Sequence, residues 1–154
     1  MSILALHHAI HSLNAPDAFK PRLSMDQWWF FESFLTRHEV RSGDVLLEQG
    51  KTDRTMYLLE SGTLQVFLSK PKPGQRLSIL LPGALVGEAG LFSEQPRMAN
   101  VEAMGPCIVW ALNGQRYEEL TARSPSLTLE IVRAAAAVMG VRMRANMEMR
   151  QAVS

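Results

Sequence analysis

The chain contains a single cysteine, Cys107, among 154 residues. One thiol excludes an internal disulfide framework and the cysteine-rich zinc sites, and it suits a reducing compartment. Cys107 opens the apolar run Cys107-Ile108-Val109-Trp110-Ala111-Leu112, where a thiol is expected to be buried and inert. No apolar run approaches the roughly 18 residues that span a bilayer. The N-terminus has neither the basic flank nor the cleavage site of a signal peptide, so a cytoplasmic protein without a membrane segment is expected. Charge of one sign is also missing, because the formal net charge is +1. No strong field draws the chain as a whole to nucleic acid or to a membrane surface. Histidine is scarce but clustered, with His7 and His11 one helical turn apart and His8 beside them. No cysteine or carboxylate nearby completes a ligand set, so no metal site is expected. No serine, cysteine or histidine arrangement pairs a nucleophile with a base. Gly83, Gly87 and Gly90 follow strand-like context and fit neither a dinucleotide fingerprint nor a P-loop. An enzyme is therefore not expected, and no cofactor is called for.

What the chain does have is apolar mass, at 47% of its residues, enough for one sizeable core in one domain. Its pattern divides into three segments, 1–36, 37–124 and 125–154. The first reads as helix, interrupted at Asn14-Ala15-Pro16-Asp17. Ser24 with Gln27 is a capping-box signature. The helix it opens carries Trp28, Trp29, Phe30, Phe31, Phe34 and Leu35, which cannot all face water.

From His38 to Leu112 short apolar runs alternate with turn signals such as Ser42-Gly43-Asp44, Ser61-Gly62, Lys70-Pro71-Lys72-Pro73-Gly74 and Pro82-Gly83. Leu64, Val66 and Leu68 alternate with polar or aromatic neighbours, and Leu77, Ile79 and Leu81 repeat that period of two. About eight strands at this spacing make a mainly β domain, a jelly roll with flanking helices. Asn113 then caps a short helix, and Ser124-Pro125 starts a long one reaching about Arg150. The long helix bears two apolar stripes. Leu127, Ile131, Ala134, Val138, Val141 and Ala145 form one, and Leu129, Val132, Ala136, Met139, Met143 and Met147 form the other. One stripe suffices to cover a barrel, so the second is expected to meet a second copy of the chain.

The densest chemistry lies in Gly87-Glu88-Ala89-Gly90-Leu91-Phe92-Ser93-Glu94-Gln95-Pro96-Arg97-Met98-Ala99. Glycine lets the backbone approach a ligand closely. A carboxylate only accepts hydrogen bonds, so Glu88 suits a sugar hydroxyl. A guanidinium is a planar fork matching two phosphate oxygens, so Arg97 suits an anion. A helical turn over Ala89–Ser93 would add its dipole. The combination is a cradle for a small ligand with both a sugar and a phosphate.

This run resembles the phosphate-binding cassette of cyclic nucleotide-binding domains, through Gly87, Glu88, Gly90, Leu91, Pro96, Arg97 and Ala99. Gly43-Asp44-Val45, Gln49-Gly50 and Tyr57-Leu58-Leu59-Glu60-Ser61-Gly62 resemble the same family's turn glycines and flanking strands. The resemblance covers about Trp28 to Met149 and implies the same barrel. It implies phosphate and sugar contacts from Gly87, Glu88, Ala89, Arg97, Met98 and Ala99. It implies base contacts from Val66, Leu77, Leu80 and Val86, and from Arg142, Met143 and Asn146 on the final helix. Arg142 is expected to stack on the base. Met98 departs from the family's small or hydroxyl residue, which favours cAMP over cGMP; its bulk either packs on the base or blocks it.

The implied function is a stand-alone sensor of a cyclic mononucleotide that repositions its helices, as a homodimer through the C-terminal helix or toward an effector protein. The chain ends about where the family's dimer helix ends, so DNA binding by this chain alone is not expected. The alternative from another class is a ligand-free interaction scaffold with a degenerate pocket.

Overall fold

Two antiparallel four-stranded sheets face one another across a shared core. The structure, a computed structural model, describes residues 2–70 and 73–153, with backbone only at Arg150, Ala152 and Val153. Pro71 and Lys72 of the predicted Lys70–Gly74 turn lie outside the described residues. The elements run α1 (Leu4–Ser12), α2 (Met25–Glu32), β1 (Thr36–Val40), β2 (Val45–Leu47), β3 (Thr55–Ser61), β4 (Leu64–Leu68), β5 (Gln75–Leu80), β6 (Leu85–Val86), α3 (Glu88–Ser93), β7 (Asn100–Ala103), β8 (Cys107–Asn113), α4 (Gly114–Arg123) and α5 (Pro125–Val153). One sheet has the order β1-β8-β3-β6 and the other β2-β7-β4-β5. This is the expected jelly roll with helices at both ends of the chain.

Two cores result. The inner faces of the sheets bury Leu59, Leu64, Leu80, Val86, Val101 and Val109. The outer face of the first sheet is covered by helices, which bury Leu6, Ile10, Trp28, Phe31, Leu127 and Ile131 against Met56, Leu58 and Trp110. At roughly 1.5–3 kcal/mol for each fully buried large apolar side chain, this second core is what holds the helices to the barrel. Cys107 is buried, as its apolar run requires.

The capping box at Ser24 forms. Ser24 Oγ accepts from the Gln27 N–H at 3.2 Å, and Gln27 Oε1 accepts from the Ser24 N–H at 2.8 Å. Of the aromatics that follow, Trp28, Phe31 and Phe34 are buried while Trp29 stays exposed. The first segment is less helical than its composition suggests. Residues 13–24 are irregular, because Pro16 and Pro21 remove donors and restrict the residues before them. Lys20 Nζ ties that stretch to the Ile10 carbonyl in α1, and the Ile3 N–H before α1 donates to Glu32 Oε1 at the end of α2 at 3.0 Å.

The long helix α5 separates its two stripes over its first half only. Leu127, Ile131, Ala134 and Val138 are buried against the barrel side, but Val141 and Ala145 of the same stripe are exposed; Leu129 and Met143 are 71% and 63% exposed, with Val132 and Met139 half-buried. On β5, Leu80 points inward and Leu77, Ile79 and Leu81 are exposed. The register explains this. Val66 pairs Ser78 and Phe67 pairs Arg76, so Leu77 is the extra residue of a bulge on an edge strand. Among the described residues no helix is long and apolar enough to cross a membrane.

Candidate functional site

β6 ends at Val86, and the chain turns through Gly87 into the short helix α3. Gly87 has φ 85°, in the left-handed region that a side chain disfavours. The loop after α3 brings Arg97 back over the helix. Two backbone bonds of 2.8 Å fix it there, from the Arg97 N–H to the Lys51 carbonyl and from the Gly50 N–H to the Arg97 carbonyl.

The Arg97 side chain turns inward and is almost fully buried. Its Nε donates to Asp53 Oδ2 at 3.1 Å and its Nη2 to Asp53 Oδ1 at 2.7 Å. Nη2 also donates to the Thr55 carbonyl at 2.6 Å, and Nη1 to the Gly87 carbonyl at 2.7 Å. These bonds use all but one of the fork's N–H donors. The guanidinium lies directly on α3. A Cβ built on Gly90 would sit 2.1 Å from Nη1, so only glycine admits the arginine at this point. Burial, followed by the nearby Asp53 carboxylate, pushes the Tyr57 hydroxyl above its ordinary range.

Glu88 is equally buried, and its Oε1 accepts from Arg142 Nη1 at 3.1 Å. Arg142 reaches in from α5 and serves two further partners. Its Nε donates to Asp17 Oδ2 at 2.9 Å, and its Nη2 to the Leu85 carbonyl at 2.7 Å. One guanidinium therefore joins the final helix, the irregular N-terminal stretch and the acid of α3. Its planar face was expected over a base; its edge holds two carboxylates instead.

The remaining residues predicted for the site fall into three groups. Gly87, Glu88 and Arg97 meet at α3, with Ala89 exposed on the first turn and Ala99 half-buried beyond the arginine. Leu80 and Val86 belong to the core between the sheets, and Val66 packs against it. Leu77 and Met143 lie outside that core and are exposed, as is Asn146. Met98 is 84% exposed, so it does not fill the space beside Arg97. Sequence reasoning missed Asp53 and Asp17. The signal for Asp53 was chemical: a buried guanidinium requires a counter-anion, and the Lys51–Arg54 turn carries one beside β3. Among the described residues no group of His, Cys, Asp and Glu is arranged to hold a metal ion.

A family model for the cyclic nucleotide-binding domain matches residues 37–124. The cAMP-activated global transcriptional regulator CRP of Salmonella typhimurium is 30% identical over 115 residues, covering 73% of this chain and 54% of the regulator. The chain thus spans about half the length of the curated relatives of this kind that it matches. The structure of a cyclic nucleotide-binding domain from Methylobacillus flagellatus superposes with a TM-score of 0.84 at 18% identity, covering 99% of this chain and 84% of that one. The catabolite activator protein of Thermus thermophilus gives a TM-score of 0.73 at 27% identity, covering 85% of this chain and 61% of its own.

Proposed function

This chain belongs to the cyclic nucleotide-binding domain family, and we propose that it is a non-catalytic sensor of a cyclic mononucleotide, cAMP in preference to cGMP. The observation that carries the reading is that Glu88 at the start of α3 and Arg97 packed on that helix from the following loop are both buried, with a glycine at position 90 leaving room for the guanidinium. A cyclic phosphate carries one negative charge and competes with Asp53 for the Arg97 fork. Charge-assisted hydrogen bonds contribute roughly 1.5–3 kcal/mol each, so a few of them account for much of a micromolar complex at about −8 kcal/mol. The sugar hydroxyl donates to Glu88. The absence of a hydroxyl on Met98 supports the preference for adenine. Relatives whose names include cAMP support the same ligand class.

Signalling follows from the second contact of Glu88. A ligand hydroxyl at Glu88 competes with Arg142, and Arg142 belongs to α5. In this reading segment 37–124 binds, segment 125–154 is the lid and dimer helix, and segment 1–36 moves with it. The exposed stripe Leu129, Met143, Met147 pairs with the same stripe of a second copy. The sensor works in the cytoplasm, toward a second subunit or an effector protein, without binding DNA through these residues.

One observation favours the second reading, a ligand-free scaffold: Asp53 already satisfies both the edge and the charge of Arg97. Thermal unfolding separates the two. Cyclic AMP at a hundred times its dissociation constant adds about 2.7 kcal/mol, or roughly 5–10 °C for a chain of this size, whereas linear AMP does not. A scaffold shows no shift with either.

A further inference from the structure

A cleft of about 520 Å³ separates the end of α1 and the segment 18–23 from the middle of α5. No residue of the 87–99 run lines it. Its accessible walls are aliphatic, from Leu23 and Ala137 over the buried Ile10, and its rim carries Lys20, Arg22 and Arg133. A volume of this order suits a drug-sized molecule.

The charges on the rim are unequal. Glu130 is the carboxylate these cations share. Its oxygens accept from Arg133 Nε and Nη2 at 2.8 and 2.6 Å and from the Arg22 N–H at 2.6 Å. The Arg133 hydrogen bond, ahead of the smaller contribution of Arg22, holds its carboxyl down to about 2, so it is ionised at neutral pH. Arg133 is thereby neutralised, and its Nη2 also touches the Lys20 carbonyl at 3.4 Å. Against the single negative charge of Glu130, Lys20, Arg22 and Arg133 bring three positive charges: Lys20 Nζ donates to a backbone carbonyl, and the Arg22 side chain is exposed. A rim with this excess of positive charge above an aliphatic floor forms an unbalanced amphipathic surface.

We infer that this cleft is a second binding site, separate from the α3 turn, for a compact anion with an apolar body, such as a medium-chain or aromatic carboxylate. The body lies against Leu23 and Ala137, and the anion meets Arg22 and the remaining N–H groups of Lys20. Ala18 also lines the cleft, directly after the Asp17 that holds Arg142, so the ligand sits beside the contact between α5 and Glu88.

The test uses 1-anilinonaphthalene-8-sulfonate, an apolar anion, as a fluorescent probe on the full chain without nucleotide. The result is thus independent of whether cAMP binds. Saturable binding of one probe per chain, displaced by decanoate, is expected. Arg22→Glu should weaken it about fivefold, near the upper limit for one exposed charge. Ala137→Trp fills the cleft from an exposed helix position and should weaken it at least about tenfold. Ile79→Ser, on the exposed sheet surface, should leave it unchanged. Circular dichroism and the melting temperature show that each variant folds. Non-saturable binding, wild-type binding by both cleft variants, or loss on Ile79→Ser would overturn the assignment.

Discussion

Asp53 and Arg97 form a two-point pair in which each carboxylate oxygen accepts one N–H of the guanidinium, at 3.1 and 2.7 Å. The arginine side chain is 3% exposed and the aspartate 40%, so the pair straddles the surface with its cation inside. The carboxylate occupies the edge that an incoming phosphate would use. In the proposed reading Asp53 is the group that a ligand has to displace.

Asp53→Asn separates its two roles. Loss of the charged hydrogen bonds is expected to cost about 1–3 kcal/mol of stability in urea unfolding. Nucleotide affinity is expected to stay level or rise, since the competing charge is gone. An affinity loss as large as that of Arg97→Ala would make Asp53 a group that positions the arginine instead.

Arg142→Ala tests the junction between α5, Glu88 and Asp17. The arginine holds two carboxylates and a carbonyl at 2.7–3.1 Å. Its removal leaves the buried Glu88 without this partner. The expected cost is about 1–3 kcal/mol, with faster amide exchange in α3 and in α5 beyond Val138. Unchanged exchange in both helices would show that Arg142 does not fasten them.

Much of this architecture was legible from the chain alone. Turn glycines at regular spacing marked the strands, and Ser24 with Gln27 marked the start of α2. The first stripe of α5 foretold the buried positions from Leu127 to Val138, but not the exposure of Val141 and Ala145 beyond them. The α3 turn was legible because its residues lie close together in sequence and each has a narrow chemical use. What stayed hidden was long-range. Asp53 lies 44 positions from Arg97, and Asp17 lies 125 from Arg142, so no local periodicity could join them. Leu77 is placed beside the base by the resemblance alone, whereas the period-two alternation already groups it with the exposed Ile79 and Leu81 and apart from the buried Leu80. In residues 13–24 the break at Asn14–Asp17 is legible, but the sequence does not show that the irregular stretch continues past Pro21 to Ser24.

Acid should weaken the N-terminal clasp. His7 packs edge-on to Trp28 with ring centroids 5.4 Å apart, and its ring faces His11 at 4.0 Å. Burial first, then the charges of His11 and His8, hold His7 below its ordinary value of 6.5. The folded chain therefore binds fewer protons than the unfolded chain near that pH, and stability rises with pH there. The contribution is complete above about pH 6.5 and is lost as the pH falls through the lowered folded value. Unfolding measured from about pH 7 to 5 should show this slope, and His7→Gln should flatten it. An equal slope in that variant would remove His7 as the cause.

The exposed stripe of α5 makes its own prediction. With Leu129 at 71% exposure and Met143 at 63%, the face resembles half of a helical seam. Light scattering on the whole chain should give the mass of a dimer. The double change Leu129→Glu and Met143→Glu should give a monomer with unchanged circular dichroism. A monomeric wild type at micromolar concentration would remove this interface.

The central claim is that Arg97 exchanges Asp53 for a cyclic phosphate. Isothermal calorimetry with cAMP, on the wild type and on Arg97→Ala, tests it most directly. One site per chain with a dissociation constant of about micromolar order is predicted, weakened at least about tenfold by the substitution and weaker with cGMP. Absence of heat from the wild type at about millimolar cAMP, or equal affinity in the two proteins, would contradict it.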